Sequence, residues 1–130
     1  MHIEGLPKRY TPGTTYTVTV VLRAEETAIA GFELAARFRA GGKPAGSLRT
    51  IDPRVSVTLD DHGLAYAHQT EAGAVVSDPS GSSWPLVWIA PGEGGDVVFH
   101  VAANSGNGDN SPLGDLIYAA EVRVEGIPRS

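Results

Sequence analysis

The fold is decided by residues 84–118. They read Trp84-Pro85-Leu86-Val87-Trp88-Ile89-Ala90-Pro91-Gly92, then Gly94-Gly95-Asp96-Val97-Val98-Phe99-His100-Val101-Ala102-Ala103-Asn104, then a polar run to Asp115, then Leu116-Ile117-Tyr118. In an extended chain Trp84, Leu86 and Trp88 share one face, opposite Val87 and Ile89. Val97, Phe99 and Val101 likewise oppose Val98 and His100. This period of two is the signature of a half-buried strand. Pro85 has no N–H to give to a ladder, which places its strand at a sheet edge or at a bulge. Residues 91–95 form a turn, and Asn104 to Asp115 is the most polar loop of the chain.

The same period extends outward in both directions. Tyr16, Val18, Val20 and Leu22 alternate with Thr15, Thr17 and Thr19. Ala30, Phe32, Leu34, Ala36 and Phe38 alternate with Glu33, Ala35, Arg37 and Arg39. A helical reading of that second run collects a poorer apolar stripe, so strand is expected. Leu116, Tyr118, Ala120, Val122 and Val124 alternate with Ile117, Ala119, Glu121, Arg123 and Glu125, the clearest in/out pattern present. Shorter strands are expected over 2–4, 54–59, 64–69 and 74–76, the last two flanking a hairpin turn at Glu71-Ala72-Gly73. Residues 43–54 read as a loop, 77–83 as another, and Asp60-Asp61-His62-Gly63 as a turn.

About eight short strands at turn spacings of roughly 8–12 residues, with no helix between them, specify an all-β, antiparallel, immunoglobulin-like sandwich. Without crossover helices a parallel α/β sheet is disfavoured. Sixteen Gly and nine Pro supply the turns, and 130 residues with 42% hydrophobic and 19% charged content make one folded domain spanning 1–130. The expected core is Phe32, Leu34, Trp88, Val97, Phe99, Tyr118 and Val122.

A net charge of −5 argues against nucleic acid or an anionic membrane as partner. Arg23, Arg37, Arg39 and Lys43 read as a solvated face. With no cysteine, the chain holds no disulfide, thiolate zinc site or covalent haem link of its own. No apolar run reaches membrane-spanning length. Met1-His2-Ile3 leads straight into Glu4 and Gly5 with no signal peptide. That leaves a cytosolic protein or a piece trimmed from a longer precursor; the opening on a strand already in progress favours trimming, and a monomer or weak dimer is expected.

Gly5-Leu6-Pro7, Tyr10-Thr11-Pro12-Gly13 with Tyr16, Val18 and Val20, Gly31-Phe32-Glu33-Leu34, and Ala45-Gly46 form an ordered set. Trp88 with Ala90-Pro91, Val97 with Phe99, Ala103-Asn104 with Asn107-Gly108-Asp109, and Gly114-Asp115 with Ile117-Tyr118 complete it. The set resembles bacterial choice-of-anchor V domains, which are similar to the Reeler domain of reelin-type extracellular proteins. The resemblance covers nearly the whole chain. It implies an exported protein, extracellular or in the cell envelope, and a non-catalytic structural or protein-interaction module with an unidentified protein or surface partner. Many members carry a Cys-x-x-Cys-His segment upstream, which raises the alternative of an accessory domain to a haem-binding segment. The family has no catalytic residues to carry over.

The candidate sites are few. Asn107, Asp109 and Asp115 offer oxygen ligands at near-alternating positions, as a calcium loop does. However, Pro112 stands where that loop needs glycine and Tyr118 where it needs a bidentate Glu. The competing reading is that Asn and Asp cap turns with their own side chains. Trp84 and Trp88 would lie about 13 Å apart on one strand face, a spacing a sugar platform uses. With Asn104 and Asn107, Trp84 forms the carbohydrate-binding alternative; against it, large rings are rarely left exposed. His2, His62, His68 and His100 show no compact ligand spacing, and no nucleophile–base–orienter set is visible, so no enzyme is expected.

Overall fold

Alternation at period two is realised as strand wherever the structure describes it. The computed structural model describes residues 1–22, 29–70, 82–92, 94–106 and 116–126, with backbone alone at 29, 82, 105, 106 and 116–118. Nine strands form among the described residues: β1 (His2–Glu4), β2 (Thr15–Leu22), β3 (Ile29–Phe38), β4 (Ser47–Thr50), β5 (Val55–Leu59), β6 (Ala65–Gln69), β7 (Ser82–Ile89), β8 (Val97–Gly106) and β9 (Leu116–Val124). They make a four-stranded sheet, β1-β2-β7-β4, and a five-stranded sheet, β5-β6-β3-β8-β9. Every strand pair is antiparallel. This is the all-β sandwich that the alternation predicts.

The apolar faces meet between the sheets. Val18, Val20 and Leu22 of β2, Phe32 and Leu34 of β3, Trp84, Leu86 and Trp88 of β7, Val97, Phe99 and Val101 of β8, and Val124 of β9 are all buried. Each fully buried aliphatic or aromatic side chain of this kind contributes about 1.5–3 kcal/mol. Trp88 is the centre of an aromatic cluster. Phe99 meets it edge-on at 4.9 Å, Tyr10 edge-on at 5.6 Å, and Tyr16 stacks on it at 5.7 Å. Its indole N–H donates to the carbonyl of Ala45 at 3.0 Å, so a large ring is buried without an orphaned donor. Of the expected core, Val122 is half-buried against the cluster and the Tyr118 side chain lies outside the described residues.

Pro85 stands where its strand has one neighbour. β7 lies between β2 and β4, but β4 pairs only with residues from Leu86 to Ile89, whereas Pro85 pairs with Thr19 of β2. The strand is interior for half its length and an edge for the rest, which accommodates the missing donor.

Three expectations are corrected. Residues 47–50 form β4 rather than loop; Ser47-Leu48-Arg49-Thr50 has a single large apolar residue and gains its strand from pairing with β7. β7 begins at Ser82, so 82 and 83 leave the expected loop. β8 continues through Asn104 to Gly106, because β3 and β9 supply ladder partners on both sides: Asn104 pairs with Gly31 and with Ile117. Tertiary pairing overrides the weak strand preference of Ala, Asn and Gly here. The hairpin expected over 71–76 lies outside the described residues.

Candidate functional site

The registers of the five-stranded sheet place its outward side chains in rows. One row runs Ser56 (β5), His68 (β6), Glu33 (β3), Ala102 (β8), Ala119 (β9). The next runs Ala35, His100, Glu121 across β3, β8 and β9, with the Thr58–Tyr66 pair of β5 and β6 on the other side of Ala35. An outward face of an antiparallel sheet is usually polar and solvated. In this one Ala35 is 2% exposed although it points away from the core, since Tyr66 and His100 stand taller on its neighbours. The small residues sink the middle of the face. The result is a groove of about 480 Å³ with Ala35, Ala102 and Ala119 in its lining and Glu33, Tyr66, His100 and Glu121 around them. A second groove of about 460 Å³ adjoins it, sharing Glu33 and Ala102 and extending to Gly31, His68, Gln69 and Asn104.

The polar groups are held in place. Thr58 Oγ1 lies 2.7 Å from His68 Nε2, and His68 Nδ1 lies 3.1 Å from the Gln69 carbonyl. A carbonyl only accepts, so Nδ1 carries the hydrogen and Nε2 accepts from the Thr58 hydroxyl. Gln69 Oε1 accepts from the backbone N–H of Phe32 at 2.9 Å. The Gln69 side chain thereby continues the β3–β6 pairing where the backbone ladder stops. It crosses over Gly31 with Asn104 from the other side; a Cβ at Gly31 would stand 2.7 Å from both Gln69 Nε2 and Asn104 Oδ1. Arg37 donates to the Tyr66 hydroxyl at 3.2 Å, and His100 Nδ1 lies 3.2 Å from Glu121 Oε1. Among the described residues no three His, Asp or Glu side chains converge as a metal site. The face offers a depression with hydrogen-bonding walls.

The residues singled out in the sequence are distributed as follows. Trp84 is 0% exposed and stacks on Phe32 at 4.8 Å, which corrects its reading as an exposed sugar platform. Its face of β7 is the core face, and a ring closed between two sheets presents no surface to a ligand. Asn104 is exposed on β8 at the end of the second groove. Asn107, Asp109 and Asp115 lie outside the described residues. His68 and His100 are on the same face, two strands apart with β3 between them. In the turn at 60–63, Asp60 Oδ1 accepts from the backbone N–H of His62 at 2.8 Å and of Leu64 at 2.9 Å. That is a self-capped turn rather than an acid–histidine pair.

Sequence reasoning missed the groove. Ala35, Ala102 and Ala119 on the polar phase of three strands were its signal, but only the strand order brings them side by side. It also missed Tyr10 as core: this residue is 1% exposed and its hydroxyl donates to the Gly95 carbonyl at 2.8 Å. Burial, with Asp96 nearby, pushes its hydroxyl pKa above the ordinary value.

No family model matches the sequence, and no curated protein does. Solved structures do. The human F-spondin reeler domain is 22% identical over 97% of this chain and 90% of its own, with a TM-score of 0.62. The Reelin-N domain of F-spondin is 24% identical over 97% and 83%, with a TM-score of 0.60. A cohesin module from the Clostridium perfringens family 33 glycoside hydrolase is 14% identical over 97% and 96%, with a TM-score of 0.56. At these identities the likeness concerns architecture, and the chain has the sandwich fold shared by Reeler domains and that cohesin module.

Proposed function

We propose that this chain is a non-catalytic extracellular module of an exported bacterial protein, structural or protein-binding in kind, and that it meets its partner through the outward face of the five-stranded sheet. The observation that carries the reading is the pair of adjoining grooves on that face. Small residues in place of the usual large polar ones let another chain's backbone come close, and Tyr66, His68, Gln69, Glu33 and Glu121 offer it hydrogen bonds. The shared fold of the F-spondin reeler domain and the cohesin module supports the reading, as does the motif order resembling choice-of-anchor V domains. The acidic balance points to a protein or glycan surface rather than to nucleic acid.

The test uses Ala102→Arg, which fills the shared wall of both grooves from an outward position. Wild type and variant, matched in melting temperature, are immobilised and exposed to culture fluid and envelope extract of the source bacterium. A partner retained by the wild type and lost by the variant supports the assignment. Identical retention by both defeats it, and so does finding the native protein in the cytosolic fraction by immunoblot.

A second reading, a small-ligand binder for calcium or carbohydrate, is favoured by the exposed Asn104 in the lining of the second groove, three residues before Asn107 in the sequence. Asn107, Asp109 and Asp115 would supply the ligands, and Trp84 takes no part.

A further inference from the structure

Edge strands are ready templates for further pairing, and proteins protect them with shortness, charge or proline. Four strands are edges among the described residues: β1, β4, β5 and β9. β1 has three residues and β4 four. β9 carries Glu121 and Arg123, and Arg9 bridges to Glu125 at its end. Within the strand itself, Val55-Ser56-Val57-Thr58-Leu59, β5 has neither charge nor proline. Four of its residues are β-branched or aliphatic strand formers on an open side.

The backbone of β5 is oriented for a partner. At one end of the β5–β6 ladder the Arg54 carbonyl accepts from Thr70 N–H at 2.9 Å, and at the other Asp60 N–H donates to the Leu64 carbonyl at 2.9 Å. Hydrogen-bonded pairs alternate in an antiparallel ladder, so Ser56 and Thr58 turn their backbone groups to β6 while Val55, Val57 and Leu59 turn theirs outward. Of these, the Val55 N–H is taken by the Asp52 carbonyl at 3.0 Å.

We propose that the chain self-associates through this edge, as a two-fold dimer in which β5 pairs antiparallel with β5 of a second copy about Val57. This register gives full five-residue overlap and places Val57 against its own copy in a hydrogen-bonded pair. It sets Ser56 opposite the copy's Thr58, polar with polar, and Val55 opposite the copy's Leu59, apolar with apolar. Two features bear on this register, the exposed Leu59 and the charges that flank the strand. Leu59, 68% exposed, and Ile51, 56% exposed, are the exposed large hydrophobic residues among those described. In this register Leu59 of one copy reaches the Val55 end of the other, the end to which Ile51 leads. There it meets the seam between β4 and β5, a depression lined by Leu48, Arg49, Thr50, Val55, Ser56 and Val57. Beyond the strands, Arg54 of each copy, which also bridges Asp52 of its own chain at 3.0 Å, stands opposite Asp60 of the other, opposite charges at both ends. The contact is isologous and closes on itself. It is smaller than the roughly 1,200–2,000 Å² of a stable interface, so the dimer is weak and the chain is a monomer when dilute.

Sedimentation of the wild type from about 10 μM to 1 mM, the range for such a small interface, reads the proposal directly. The weight-average mass is expected to climb toward that of a dimer, and Leu59→Lys, at an exposed position, to hold the monomer mass throughout. A trap needs no other change, since the chain has no cysteine. Val57→Cys places two thiols across the two-fold at a Cα separation of about 5.5 Å, within the range a disulfide bridges. Mild oxidation should cross-link it at least tenfold faster than Thr17→Cys, an exposed control on β2. A wild type that stays monomeric to 1 mM overturns the proposal and leaves the edge to a different occupant. Dimerisation unaffected by Leu59→Lys, or equal cross-linking of the two cysteine variants, overturns it by placing the contact elsewhere.

Discussion

Gly46 has φ +77°, and a Cβ built on it would land on the carbonyl oxygen of Ile89 and 2.9 Å from the indole nitrogen of Trp88. This one residue lets β4 pass close enough for Ala45 to accept the Trp88 N–H. Gly41 has a similar φ of +85° but open space around it. The pair separates backbone strain from steric exclusion. Gly41→Ala is expected to cost about 1–2 kcal/mol, the penalty of left-handed backbone. Gly46→Ala should cost clearly more, about 3 kcal/mol or above, because backbone must shift as well. Equal costs in chemical denaturation would mean that β4 yields freely. Trp88 itself is the larger wager. Trp88→Ala removes the ring that touches Tyr10, Tyr16 and Phe99, and should destabilise by about 3–5 kcal/mol. A loss below about 1 kcal/mol would contradict its burial. At this scale the sequence was informative about Trp88, whose parity on an alternating strand puts it inside. It was silent on Tyr10, because a residue beside a Pro-Gly turn carries no periodicity to place it.

Among elements, strands with long alternation were legible and those without it were not. β2, β3 and β9 declare their inward faces residue by residue, whereas β4 and the end of β8 exist because neighbours pair with them. The candidate site divides in the same way. The outward phase of Glu33, Ala35, Arg37, His100 and Glu121 follows from parity, but the groove needs β3 to lie between β6 and β8. Strand order is a long-range property that no local pattern encodes. One polar device ties these elements at the far end of the sheet. Asp96, just before β8, accepts from Gly126 N–H at 2.9 Å and from Arg123 Nε at 3.0 Å, with Arg123 Nη2 also bonded to it. The Gly126 amide first, then Arg123, holds its carboxyl below the ordinary value of 3.8. A group whose folded pKa is depressed binds its proton more readily when unfolded. Its stabilising effect is therefore full well above pH 3.8 and disappears as the pH falls through the folded value. Asp96→Asn should lower the melting temperature at pH 7, and the gap from wild type should close in acid, below the ordinary carboxylate value. A gap that stays constant down to pH 2 would show that the charge is not what matters.

For the whole molecule, two sheets joined by a buried aromatic centre form a frame whose chemistry lies at its surfaces. A pair of grooves opens on the five-stranded face, an uncharged edge runs along β5, and residues 107–115 connect β8 to β9. That connection was the most conspicuous polar stretch of the sequence, and its two readings make opposite thermodynamic predictions. If Asn107, Asp109 and Asp115 satisfy stranded backbone N–H groups, the connection is ordered by local caps. Asp109→Ala then costs about 1 kcal/mol, as a lost cap does, and calcium leaves the melting temperature unchanged. If they hold a cation, millimolar calcium stabilises the native state by mass action and raises the melting temperature, and Asp109→Ala abolishes the rise. The expected outcome is the first. Pro112 and Tyr118 stand where a calcium loop of the common kind needs its glycine and its bidentate glutamate, leaving too few anionic oxygens to outcompete water. Thermal unfolding of both proteins with calcium and with a chelator decides between them. A calcium-dependent shift of several degrees, present in the wild type and absent in Asp109→Ala, would make ligand binding by this connection the leading function. The groove on the sheet face would then be secondary to it.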